Sequence, residues 1–202
     1  LNNYPSNTTV DIVNIPAGSS CTVQEGLPNP PAGYVWDIAS FSALSPSGSM
    51  PAGGTLSTDV SNGLLSDFSI KKTILSGPSV VVGNSSQYEI IYRISIKNHL
   101  ASAQTYSLND TLGLDADFEV QGAPAISTSS NVTQPINSSF SGTGSQINIV
   151  TNEQISAGSS ASPSIETYDI KAIVNRESNT SNNDICSGTP GNGFYNSASL
   201  NT

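Results

Sequence analysis

The sequence predicts an all-β protein made of two β-sandwich domains, the second of them Ig-like. Helix signals are nearly absent, because no window carries apolar residues at helical spacing over three turns. Several segments instead alternate apolar and polar residues with the period of two that a half-buried strand requires. Gly, Pro, Ser and Asn separate these segments at short intervals. Short strands joined by such turn-rich connections are typical of a sandwich.

The alternating segments predict eight strands along the chain. The clearest is YEIIYRISIKN, in which Ile90, Tyr92 and Ile94 share one face and Glu89 and Arg93 lie on the other. The Ser- and Asn-rich tracts at 127–145 and 176–193 predict long surface loops. In chain order the predicted strands are 10–15, 34–38, 68–75, 88–98, 104–112, 146–150, 166–174 and 194–200.

Charge and composition exclude some classes of partner. The 202 residues carry a formal net charge of -9, and only 10% of them are charged. Such a chain offers no basic patch to neutralise phosphates, which disfavours nucleic acid and anionic membranes. No apolar run reaches membrane-spanning length. Ser, Thr, Asn and Gly serve as the solubilising residues, as is usual in extracellular β-proteins.

A change in composition predicts a domain boundary near residues 61–67. The segment before it is rich in Pro and Gly, contains Trp36 as the only tryptophan and has no Lys or Arg. All six basic residues follow it. We therefore expect a small β-domain over 1–66 and a larger Ig-like sandwich over 67–202. The domain over 1–66 is short for a β-sandwich that folds by itself. We therefore expect further strands to complete it, either from upstream, from a neighbouring chain or from the second domain.

Three predicted strands each place one polar residue in phase with their apolar face. Steps of two from Phe68 lead through Ile70 to Lys72 and Ile74. The same test puts Asp110 on the face of Tyr106, Leu108 and Leu112, and puts Asn196 on the face of Phe194, Ala198 and Leu200. A lysine, an aspartate and an asparagine are thus predicted to point into one core.

Buried unpaired charges cost several kcal/mol, so these residues need one another or a reaction that removes the charge. Burial favours a neutral amine for Lys72 and a protonated carboxyl for Asp110. A neutral amine beside a carboxamide that a carboxylic acid polarises can attack the Asn196 side-chain carbon and release ammonia. The product is an intramolecular isopeptide bond. The simpler alternatives are that Lys72 extends to a sheet edge and that Asp110 caps a turn.

These residues carry a family resemblance over nearly all of 67–202. The segments FSIKKT, VVVGNSSQYEIIYRISIKN, YSLNDTL and GNGFYNSASL resemble the Ig-like conserved-repeat domains that form stalks in bacterial surface adhesins and pilins. In members that crosslink themselves, the lysine lies in the first strand, the acid in the DTL-type strand and the asparagine in the last strand. The resemblance therefore implies that Lys72 and Asn196 are crosslinked and that Asp110 is the catalytic acid.

The first domain has a resemblance of its own. The segment SSCTVQEGLPNPPAGYVW is similar to the late strands of prealbumin-like, collagen-adhesin B-type modules, in which a glutamate catalyses a similar crosslink. Glu25 is its counterpart here. Residues 1–70 contain no lysine, so a crosslink within this domain is excluded. Glu25 is then a relic, or its lysine lies upstream.

Other candidate sites are weaker. Cys21 and Cys186 lack metal-ligand spacing and are disulfide candidates, either with each other or with cysteines elsewhere. Asp115 and Asp117 are weak calcium candidates without the spacing of a loop that wraps the ion, and we expect no cofactor. His99 is expected in a turn. No arrangement typical of an enzyme acting on an external substrate is found.

The sequence thus favours a structural stalk or pilin-like module on the bacterial cell surface, with neighbouring repeats or subunits of the same surface protein as partners. The alternative is an adhesin module that binds a glycan or a host protein. Tyr4, Tyr34, Trp36 and Phe41 are the aromatic residues that such a site would use.

Overall fold

The computed structural model describes residues 14–22, 29–37, 47–53, 63–177 and 190–202. Within these ranges the chain forms strands and no helix, which confirms the all-β class; no helix that could span a membrane is therefore present there. The strands are β1 (Ser20–Thr22), β2 (Tyr34–Asp37), β3 (Ser47–Ser49), β4 (Gly63–Ser66), β5 (Phe68–Val81), β6 (Asn84–Asn98), β7 (Gln104–Leu112), β8 (Phe118–Val120), β9 (Ala125–Thr128), β10 (Asn148–Ile155), β11 (Ser164–Arg176) and β12 (Asn196–Asn201).

The strands from β5 onward form a sandwich of two antiparallel sheets. The larger sheet has the order β5-β6-β11-β8, and β9 also pairs with β11. The smaller sheet has the order β10-β7-β12. The first strand of the sandwich, β5, and the last, β12, therefore belong to different sheets, and they lie in contact.

Period-two patterning determines which side chains fill the space between the sheets. On β6, Ile90, Ile94 and Ile96 are fully buried, while the charged residues between them face outward. Outside the sandwich, the Arg93 guanidinium donates two hydrogen bonds to Asp169. The core includes Tyr106, Leu108, Ile149, Val150, Ile155, Tyr168 and Ile170, with a second cluster around Ile90, Tyr92, Leu112 and Ala172.

The part of the chain before Asp67 contributes two small ladders, β1 with β3 and β2 with β4. Only Asp67 separates β4 from β5. Its backbone amide donates to the Gly33 carbonyl, and its carbonyl accepts from the His99 amide. The division of the chain into domains at residue 66 stays a prediction.

The strand predictions differ from the structure in several places. The predicted strand at 10–15 lies mostly outside the described residues, and Asn14 and Ile15 are not in a strand. The short strands β3, β4, β8 and β9 were not predicted, because three or four residues are too few for alternation to show.

One burial prediction on β5 is wrong. Ile74 shares the phase of Ile70 and Lys72 but is 53% exposed. The strand runs on to Val81, and residues 73–80 are exposed whichever way their side chains point. Alternation identifies the faces of a strand, but burial of a face depends on how far the opposite sheet extends.

Candidate functional site

Lys72 and Asp110 meet between the two sheets. Lys72 lies on β5 of the larger sheet and Asp110 on β7 of the smaller one. The Lys72 ammonium donates to Asp110 Oδ2, and the two side chains are 13% and 0% exposed. Lys72 and Asp110 are therefore an almost fully desolvated ion pair that joins the two sheets.

Asn196 lies on the same sheet face as Asp110. In the register between β12 and β7, Ala198 is opposite Asp110 and Asn196 is opposite Leu112. Asn196 is thus a diagonal neighbour of Asp110, two residues away on the face that points inward. Its side-chain Nδ2 and Oδ1 atoms are buried and have no hydrogen-bond partner of ordinary geometry within the described part of the chain, and Asp110 Oδ1 is in the same condition.

Burial changes the acid–base properties of this pair. It lowers the pKa of Lys72 from 10.5 to about 8, although the charge and hydrogen bond of Asp110 act in the opposite direction. Burial also raises the pKa of Asp110, against the opposing effects of Lys72 and of the Asn196 amide. Both shifts favour the uncharged forms, and transfer of one proton from the ammonium to the carboxylate converts the ion pair into a neutral amine and a carboxylic acid.

A tyrosine borders the site, and its role was not predicted from the sequence. Tyr92, on β6, is 3% exposed, and Lys72 Nζ lies 5.2 Å from the centroid of its ring. The Tyr92 hydroxyl donates to the Phe194 carbonyl at 2.9 Å, two residues before Asn196. Its inward position was predicted, but nothing in the sequence distinguishes this tyrosine from an ordinary core residue.

A second buried polar network was also missed. The Tyr106 hydroxyl donates to Glu166 Oε2 and contacts the Tyr168 hydroxyl at 2.7 Å. Glu153 is fully buried and accepts hydrogen bonds from the backbone amides of Thr133 and Gln134. Glu166 is in phase with Tyr168 and Ile170, so the test that identified Lys72 would have identified it as well. For Glu153 the register shifts in β10 obscure the phase.

This network gives a testable pH dependence. Burial raises the pKa of Glu166 above its ordinary 4.5, and the nearby Glu153 raises it further, while the Tyr106 hydrogen bond lowers it. Between 4.5 and the raised value, the folded chain binds more protons than the unfolded chain, so stability falls as pH rises through that window. Glu166→Gln should remove this dependence of stability on pH. Across the window, the wild type should lose about 1.4 kcal/mol of unfolding free energy for each unit by which the Glu166 pKa is raised.

The measurement is urea unfolding of the wild type and Glu166→Gln at about pH 5 and about pH 8. Relative to wild type, the variant should gain stability at the higher pH. Asp110 titrates in both proteins, so the difference between them isolates Glu166. The exposed Glu119→Gln is the matched control and should leave the slope unchanged. If the free energies of unfolding of wild type and Glu166→Gln change equally between the two pH values, the Glu166 carboxyl does not titrate in the window.

The remaining predicted residues fall into two groups. Cys186 and Glu25 lie outside the described residues, as do Tyr4 and Phe41, and only the backbone of Cys21 is described, on β1. Disulfide formation and the role of Glu25 therefore stay predictions. Of the aromatic candidates for ligand binding, Tyr34 is 48% exposed and Trp36 is partly buried.

The acidic loop before β8 holds Asp115 and Asp117, the two weak calcium candidates. Asp115 and Asp117 are both buried, and Asp115 Oδ1 accepts the backbone amide of Asp117. In the described ranges no group of three or more His, Cys, Asp or Glu side chains is placed to hold a metal ion.

His99 directly follows β6 and is 9% exposed. Its Nδ1 has no hydrogen-bond partner among the described residues.

Comparisons with protein-family models, with curated proteins and with solved structures found no match for this chain.

Proposed function

We propose that this chain is a structural stalk or pilin-like module of a bacterial surface adhesin, stabilised by a self-catalysed amide bond between Lys72 and Asn196. The observation that carries the proposal is the buried Lys72–Asp110 pair beside an Asn196 amide whose side-chain atoms have no hydrogen-bond partner of ordinary geometry among the described residues. Leaving a buried polar atom unsatisfied costs about 1 to 3 kcal/mol. Several such atoms at one place are better explained by chemistry between them than by folding alone.

The reaction needs only the groups at the site. Asp110 takes the proton of the Lys72 ammonium, and the neutral amine attacks Asn196 Cγ. The protonated Asp110 hydrogen-bonds to the Asn196 carboxamide and delivers the proton to Nδ2 as the C–N bond breaks. Asp110 then takes the second proton that the attacking Nζ must lose, so the reaction ends with a protonated Asp110 beside a neutral amide. One Nζ–Cγ amide bond forms and one molecule of ammonia leaves. No oxidant, metal or cofactor takes part in this scheme.

The function follows from the position of the bond. It would join β5 to β12, the first and last strands of the sandwich, and would connect its two sheets. A pulling force on a stalk enters a domain through its terminal strands, so the bond would carry load past the hydrogen-bonded ladder. The low charge and the Ser- and Thr-rich composition suit a position outside the cell.

The test is the intact mass of the reduced, purified protein. The wild type should be lighter than the sequence mass by one ammonia, and Lys72→Ala or Asn196→Ala should restore the full sequence mass of the variant. Lys71→Ala is the matched control, because Lys71 is the exposed neighbour on the same strand, and it should keep the ammonia loss. A wild-type mass equal to that of the unmodified chain would reduce Lys72 and Asp110 to a buried ion pair.

The alternative function, binding of a glycan or a host protein, makes a different prediction. A binding module should retain a ligand on a glycan array or on immobilised host proteins whether or not Lys72 is present. A purely structural module should retain none.

A further inference from the structure

We propose that Tyr92 is the positioning residue of the crosslinking reaction, holding the Lys72 amine with its ring and the Asn196 strand with its hydroxyl. This inference rests on the proposed function, because it assigns a role in the reaction that joins Lys72 to Asn196. It concerns a residue that exchanges no proton and forms no bond in that reaction.

The ring of Tyr92 restricts the amine. Tyr92 is opposite Ile74 in the register of β5 and β6, while Lys72 is opposite Ile94, so Tyr92 and Lys72 are diagonal neighbours on the inner face. The distance of 5.2 Å between Nζ and the ring centroid lies within the range of a cation–π contact. A lysine side chain has four rotatable bonds, and a rigid ring beside its end limits where the amine can go.

The hydroxyl of Tyr92 restricts the other reactant. It donates to the carbonyl of Phe194, two residues before β12 begins at Asn196. The Phe194 ring packs against Phe118, with centroids 4.6 Å apart, and against Tyr88. This hydrogen bond therefore anchors the start of β12, on the smaller sheet, to β6 in the larger sheet.

The two restraints together address the main difficulty of the reaction. The amine and the carboxamide lie on different sheets, and amide formation requires them to stay at near-contact distance in the correct orientation. Tyr92 is one nearly fully buried side chain with contacts to both halves. An ordinary core tyrosine would contribute packing and a satisfied hydroxyl, but would not govern the rate of bond formation.

The test follows bond formation over time in the full chain. Wild type, Tyr92→Phe, Tyr92→Leu and Tyr168→Phe are made by cell-free synthesis with a short pulse of label, then chased, quenched and reduced. Intact mass gives the fraction that has lost ammonia at each time. Tyr92→Phe, which keeps the ring and loses the hydrogen bond to Phe194, should react about tenfold more slowly than wild type. Tyr92→Leu should be slower still.

Tyr168→Phe is the matched control. It also removes one hydroxyl from a fully buried tyrosine, but one that bonds to Tyr106 in the other polar network. It should react at close to the wild-type rate. Urea unfolding of both Phe variants in the Lys72→Ala background, where no bond can form, shows whether they destabilise the fold to a similar extent.

The possible outcomes separate the two proposals. If wild type loses ammonia and Tyr92→Phe reacts at the same rate, or if Tyr168→Phe is slowed equally, Tyr92 has no positioning role and the crosslink stands. If wild type loses no ammonia, both proposals fail. If Tyr92→Leu does not fold, the comparison of Tyr92→Phe with Tyr168→Phe decides the question.

Discussion

Replacing Asp110 by Asn should abolish the crosslink. The asparagine side chain fills nearly the same space, but it cannot accept the proton of the Lys72 ammonium or return it to the departing amide nitrogen. Loss of a positioned acid–base group costs a reaction about 100-fold or more, so Asp110→Asn should keep its full sequence mass over times in which the wild type is fully converted. Intact mass of the reduced protein measures this.

Asp169→Asn is the control for this substitution. Asp169 also forms an ion pair, with Arg93, but on the outer face of the larger sheet. This variant should lose ammonia as the wild type does. Complete ammonia loss in Asp110→Asn would show that the reaction needs no carboxyl group at this position.

The same acid–base argument gives the reaction a bell-shaped pH profile. The reactive form holds one proton between Lys72 and Asp110, so the rate should fall above the lowered pKa of Lys72, at about pH 8. It should also fall below the raised pKa of Asp110, where both groups are protonated. A rate that keeps increasing well above pH 8 would mean that Asp110 does not act as an acid.

Preventing the bond should cost a large part of the stability of the domain. Asn196→Ala leaves the Lys72–Asp110 ion pair in place and removes only the amide that the crosslink needs. The bond would close a loop of more than a hundred residues. The chain-entropy relation used for disulfides gives roughly 4 to 5 kcal/mol for such a loop. We therefore expect Asn196→Ala to unfold at a much lower urea concentration than the wild type.

The control for this experiment is Asn201→Ala. Asn201 lies on the same strand but is exposed, so its substitution should change the unfolding midpoint little. A second comparison isolates the crosslink. Neither Lys72→Ala nor the double variant Lys72→Ala/Asn196→Ala can form the bond, so the free energies of unfolding of these two proteins should differ little. The difference between wild type and Asn196→Ala should be much larger. If the two differences are equal, the stability lost in Asn196→Ala comes from the packing of the Asn196 side chain and not from the crosslink.

The sequence by itself determined the class of the fold and the faces of its main strands. Period-two alternation predicted β7 with its observed bounds and placed Asp110 on the buried face with Tyr106 and Leu108. This succeeds because a strand with one buried face must repeat its polarity every two residues. The same rule, applied to three strands, identifies Lys72, Asp110 and Asn196 as polar residues that point inward.

The tertiary structure decided how the strands pair and pack against one another. Which sheet each strand joins, how far the opposite sheet covers β5, and whether Ile74 is buried are consequences of long-range pairing that no local pattern records. The contacts of Tyr92 with Lys72 and Phe194 join residues up to 102 positions apart in the chain. Periodicity can show that a side chain points inward. Only the packing of the two sheets determines which other side chains it contacts there. For a buried lysine, these contacts determine its protonation state and its reactivity.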